Sequence, residues 1–164
     1  MTTDEGAAFD AAAAHVRFSK DCFDRAWDLI EKADRSAADD DEMLLLSQAA
    51  LWHWTQRPDC SDRNRSVGYW QASRIHALLG HADEAERYAR RCLEKSSALA
   101  PFYLAYAQEA LARAARVRGD DAACRAHAMQ ALVLAQAIVD DAERELVLAD
   151  LATLAAAPGL QPAT

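Results

Sequence analysis

The sequence lacks the short motifs that announce chemistry. It contains no HExxH pair, no CxxC, no GxSxG elbow, no phosphate-binding loop and no dinucleotide fingerprint. A triad assembled only in space leaves no such mark, and nothing in the chain favours one. β-Branched residues are sparse, so strands have little support. The longest apolar runs, such as Met43-Leu44-Leu45-Leu46, are far too short to span a bilayer. The start, MTTDEGAAFD, has no basic region followed by an apolar core, so a secretory signal is not expected. Basic residues are the minority: 18 Lys and Arg against 26 Asp and Glu give a net charge of −8. That balance disfavours nucleic acid as a partner, which calls for a basic face. With these absences, a cytoplasmic protein with reduced cysteines is expected.

What is present is alanine and helical periodicity. At 164 residues, the chain is read as a single domain, 1–164, able to bury a core. Its 52 % hydrophobic share is globular, and alanine supplies much of it, which favours closely packed helices. The five glycines and four prolines fall mostly between apolar-periodic segments. Gly68 is the exception, near a helix start. Seven helices are predicted, at about 9–34, 40–56, 64–79, 82–97, 101–118, 121–138 and 141–156. Acidic residues front several of them, including Asp39-Asp40, Asp83-Glu84, Asp120-Asp121 and Asp140-Asp141. Capping and the helix dipole explain these pairs, and none has the spacing of a calcium loop. The segment 57–63 is expected to be the most mobile connection, and the tail 158–164 to fray.

Residues 66–139 hold an internal repeat. With Gly80 set on Gly119, an offset of 39, "GHADEAERYARRCL" lies over "GDDAACRAHAMQAL". Ala85 falls on Cys124, Ala89 on Ala128, Cys92 on Ala131 and Leu93 on Leu132. Tyr69, the small pair Ala72-Ser73, His76, Ala85 and Cys92 resemble the pattern of the tetratricopeptide repeat, a helix–turn–helix unit. Ala89 departs from it, because a large aromatic is usual there, and Gln108 and Ala115 depart in the second unit. The chain also resembles bacterial tetratricopeptide-like proteins. The resemblance implies an all-α, right-handed array of antiparallel helix pairs. A divergent first pair would occupy 9–57, units 64–97 and 101–138, and a solvating cap 141–156, with Glu143, Arg144, Glu145 and Asp150 outward. An irregular helical bundle is the alternative.

Cys92 and Cys124 occupy small, buried repeat positions, where cysteine acts as a small hydrophobe. Cys60, in a polar segment, is expected to be the exposed thiol. The five histidines show no metal spacing. No metal and no cofactor are therefore expected.

The resemblance places the first helix of each unit on an inner groove. There the stripe Trp70, Arg74, Ala77 maps by the same offset onto Glu109, Arg113, Arg116, with Tyr106 nearby. Three arginines on one face would suit a carboxylate. Ion pairs with Glu109 explain the same pattern without a ligand. The leading expectation is a non-enzymatic scaffold that binds a protein or peptide segment, acidic or C-terminal, in a groove lined by Trp70, Arg74, Tyr106, Glu109, Arg113 and Arg116. A second reading is a small-molecule sensor or enzyme with a pocket near His53 and Trp54. There the simpler assignment packs Trp54 and Trp52 on different sides. A third is a structural homo-oligomer that buries an alanine-rich face.

Overall fold

A computed structural model describes residues 9–156. Residues 1–8 and 157–164, including the tail expected to fray, lie outside them. Every regular element among the described residues is a helix. In order these are α1 (Ala11–Glu31), α2 (Ala37–Thr55), α3 (Asp62–Leu78), α4 (Ala82–Ser96), α5 (Pro101–Arg118), α6 (Asp121–Ala135) and α7 (Asp141–Ala156). The expected all-α class is thus met, with seven helices among the described residues.

The helix ends follow their caps. Asp10 caps α1 by accepting from the Ala13 amide at 3.0 Å. Ser36 and Asp39 form a reciprocal capping box, so α2 begins at Ala37 and the acidic run lies inside its first turn. Ser61 and Asn64 do the same for α3. α6 stops at Ala135, earlier than periodicity predicts. Tight turn hydrogen bonds follow it, and they swing Ile138 into the core between α5, α6 and α7.

The offset of 39 is a structural equivalence of turns and burial. Gly80 and Gly119 both have left-handed backbones, at φ 78° and 82°. Each closes the same double hydrogen bond: His81 to the His76 carbonyl and Gly80 to Ala77, then Asp120 to Ala115 and Gly119 to Arg116. This is the Schellman arrangement, which only glycine enters without a Cβ penalty. Gln71, Ala72, Ser73 and Ile75 are buried in α3, as are Ala110, Leu111, Ala112 and Ala114 in α5. The aromatic missing at Ala89 is supplied one residue earlier. Tyr88 is buried and stacks on His76 at 5.4 Å.

The odd-numbered helices touch in succession. Gln71 of α3 donates to the Phe23 carbonyl of α1 at 2.9 Å. α3 packs on α5, and α5 on α7. Gly68 serves this packing rather than a helix start. A Cβ there would lie 2.6 Å from both Leu51 and the Trp54 ring, so the glycine lets α2 lie close on α3. The segment 57–63 is pinned rather than loose: the Arg57 side chain is largely covered, donates to Ser19 at 2.9 Å and pairs with Asp59.

Cys92 and Cys124 are fully buried, while Cys22 and Cys60 are partly exposed. Burial pushes the Cys92 thiol up to about 11 and raises Cys124 as well. Thiolate is the reactive form. Labelling under native conditions should therefore modify Cys22 and Cys60 well before Cys92 and Cys124, read by peptide mass spectrometry. Labelling of Cys92 as fast as Cys60 would contradict this packing.

Candidate functional site

The repeat brings the stripe residues together because equivalent positions on α3 and α5 are neighbours. Glu109 of α5 has no solvent exposure. Trp70, its repeat equivalent, donates its indole N–H to Glu109 Oε2 at 3.1 Å. Arg74 donates to Oε1 at 3.3 Å, and Arg113, one turn along α5, donates to the same oxygen. Two guanidinium groups thus share one buried carboxylate.

The second counter-charge comes from α7. Asp150, expected on the outward face, instead turns inward. Its carboxylate lies 3.3 Å from Arg74 and 3.8 Å from Arg113, and it accepts from the Tyr106 hydroxyl at 3.1 Å. Arg113 also donates to the Asp150 carbonyl and to Thr153. Two arginines therefore meet two carboxylates, and the cluster is neutral. Arg74 and Arg113 are thus neutralised without a ligand carboxylate. Burial first, and the nearby carboxylates second, raise the Tyr106 hydroxyl above the usual phenol range.

Arg116, expected beside Arg74 and Arg113, lies against Cys124 of α6, where its charge and a hydrogen bond oppose the effect of burial on the thiol. The remaining members form an aromatic run across four helices. Trp54 packs on Phe23 at 5.3 Å, Trp27 on Trp70 at 5.3 Å, and Trp70 on Tyr106 at 4.8 Å. Phe102 follows Tyr106 at 5.0 Å, and Tyr103 follows Phe102 at 5.2 Å.

Next to the ion cluster, α3 and α5 part to leave an apolar cleft of about 170 Å³, walled by Val67, Trp70, Phe102, Tyr103 and Tyr106 above Ser66. Arg63 lies at its edge, 5.6 Å from the centre of the Tyr103 ring. Arg63 is exposed and has no salt bridge among the described residues. Sequence reasoning found Trp70 and Tyr106 but not this cleft, because Phe102 and Tyr103 lie in the first turn of α5, outside the stripe that the repeat offset carries over.

His53 and Trp54 face different neighbours. Trp54 is buried against α1 and α3, whereas His53 faces His15, with the two Nδ1 atoms 2.8 Å apart, and packs beside Phe18 and Trp52. Among the described residues, no group of three His, Cys, Asp or Glu is placed to hold a metal ion, and no helix is long and apolar enough to cross a membrane.

Comparison with known proteins gives no significant match: no family model fits the chain, and no curated protein or solved structure is significantly similar to it. The tetratricopeptide resemblance therefore carries no activity or partner over to this chain.

Three histidines are held below the usual imidazole range, each by burial first: His53 with help from His15, His76 from His81, and His127 from Arg90. The unfolded chain, with ordinary values near 6.5, takes up these protons first as pH falls. Stability must then rise with pH across that window and be lost as pH falls below about 6.5 toward the depressed folded values. The melting temperature should fall on acidification from about pH 7 to about pH 5, and His53→Gln should shrink the fall. A melting temperature that holds or rises on acidification would contradict these burials.

Proposed function

We propose that the chain is a non-enzymatic interaction module built as a tetratricopeptide-like array. Its partner is a protein or peptide segment that ends in an aromatic or branched apolar residue. That residue enters the cleft between α3 and α5, and its terminal carboxylate meets Arg63. The observation that carries this reading is the cleft itself: an apolar recess rimmed by aromatic rings, with the exposed Arg63, without a salt bridge among the described residues, over the rim ring of Tyr103. A void of about 150 Å³ holds a benzene ring, so a cleft of about 170 Å³ suits one such side chain. Rigid aromatic walls cost little side-chain entropy on binding.

Arg74 and Arg113 take a supporting part in this reading. Glu109 and Asp150 already neutralise them, so a ligand carboxylate at that point would have to displace Asp150 and with it α7. The arginines hold Trp70 and Tyr106 in place, and Arg63 supplies the accessible positive charge. The acidic composition and the buried, reduced cysteines favour a cytoplasmic setting.

The test is a screen of peptides with free and amidated C-termini against the native protein, Tyr103→Ala and Arg63→Ala, all checked for helix content by circular dichroism. Peptides ending in Phe, Leu or Tyr should bind. Tyr103→Ala should weaken binding about thirtyfold, the scale of a central aromatic contact. Arg63→Ala and C-terminal amidation should weaken it to a similar degree as each other, without adding together. Equal binding by native and Tyr103→Ala proteins would remove the cleft from the account.

A further inference from the structure

We infer that α6 and α7 form a self-complementary face that pairs two copies of this chain about a twofold axis at Leu132. From Ala126 to Val139 the sequence AHAMQALVLAQAIV holds no Asp, Glu, Lys or Arg. Half of this stretch points outward. Met129 and Val133 are each 66 % exposed, Leu132 43 % and Val139 95 %. Between α6 and α7 runs an apolar groove of about 420 Å³, floored by Ala128, Met129, Leu132, Leu148, Leu151 and Leu154. Contiguous apolar surface of this kind marks an association site. α5 carries other helices on both sides, whereas among the described residues no helix packs on the outer face of α6 and α7.

The charges around the groove say what covers it. Arg125 stands at one end, in the first turns of α6, exposed and without a salt bridge among the described residues. Glu145 stands at the other end, exposed and without a salt bridge among the described residues, on the α7 stripe that continues into Leu148 and Ala152; Asp141 on the same stripe pairs with Arg144. Arg125 lies seven residues before Leu132, whereas α6 ends at Ala135, three residues after it. When two α6 helices lie antiparallel with Leu132 on the axis, Arg125 of each copy therefore extends past the end of α6 in the other, beside the turn that leads into α7. The cation of each copy meets the carboxylates of its mate twice over, as an isologous contact requires. Between these ends only uncharged side chains meet. That matters for a chain of net charge −8, because two copies repel across most other faces.

This pairing uses a face remote from the cleft, so its outcome is independent of the peptide reading. The test is the solution mass of the full chain by light scattering and sedimentation across a concentration series. The native protein should approach twice 18.0 kDa as concentration rises. Val133→Glu, at an exposed site, should return the mass to a single copy with unchanged helix content. Arg125→Glu should weaken pairing about tenfold or more, and adding Glu145→Arg should restore it. These last two sites are exposed and decide the matter even where Val133→Glu disturbs the helix. A native protein of single-copy mass at every concentration would overturn the inference. So would pairing that survives both Val133→Glu and Arg125→Glu, or assemblies that grow beyond two copies.

Discussion

A carboxylate with no access to water sets the terms for this structure. Glu109 lies between α3 and α5 and is reached by Trp70, Arg74 and Arg113. A buried charge is tolerated only when it is paired and hydrogen-bonded. Both Glu109 oxygens must therefore be matched, and matching them fixes the register of α3 on α5. The two guanidinium groups then need a second anion. Asp150 provides it and draws α7 onto the same side as α3 and α5. One buried charge thus ties three helices, and the aromatic run from Trp27 through Tyr106 lies along the tie. The cleft owes its shape to this arrangement, since Trp70 and Tyr106 are held by Glu109 and Asp150 respectively.

Such a cluster contributes more to arrangement than to raw stability. Apolar replacements of similar volume often serve a buried ion pair's position equally well, whereas removal of one partner costs about 3–5 kcal/mol. The apolar contacts between successive helices, many of them made by small buried alanines, leave room for slippage. A shared carboxylate with three donors does not.

Much of the helical layout is legible in the sequence. Gly80 and Gly119 mark their turns because left-handed backbone has a residue signature, and the buried small residues repeat at the same offset. The pairing of Trp70 with Glu109 and of Arg74 with Arg113 follows from that offset alone. The inward turn of Asp150 was harder to see. Its acidity suits a solvent face, yet it stands between Val147 and Leu154 on a buried stripe, and a charge interrupting such a stripe is the available signal. Arg116 reaches Cys124 of α6 because i, i+7 spacing drifts around the helix in that direction. The cleft was not legible, since it depends on how far α3 and α5 separate beyond the ion cluster. Nor was the division of His53 from Trp54, which follows from adjacent residues on a helix pointing about 100° apart.

The central claim is that Glu109 and Arg113 act as one unit. A double-mutant cycle of Glu109→Ala, Arg113→Ala and the pair, measured by denaturant unfolding, tests it most directly. Each single variant should lose several kcal/mol, on the order of 3–5, by leaving a buried charge unmatched. The double variant should lose much less than the two losses added, with a coupling of about 1–3 kcal/mol. Losses that simply add would mean that the two side chains contribute independently, and the shared carboxylate would no longer explain how α3, α5 and α7 are held.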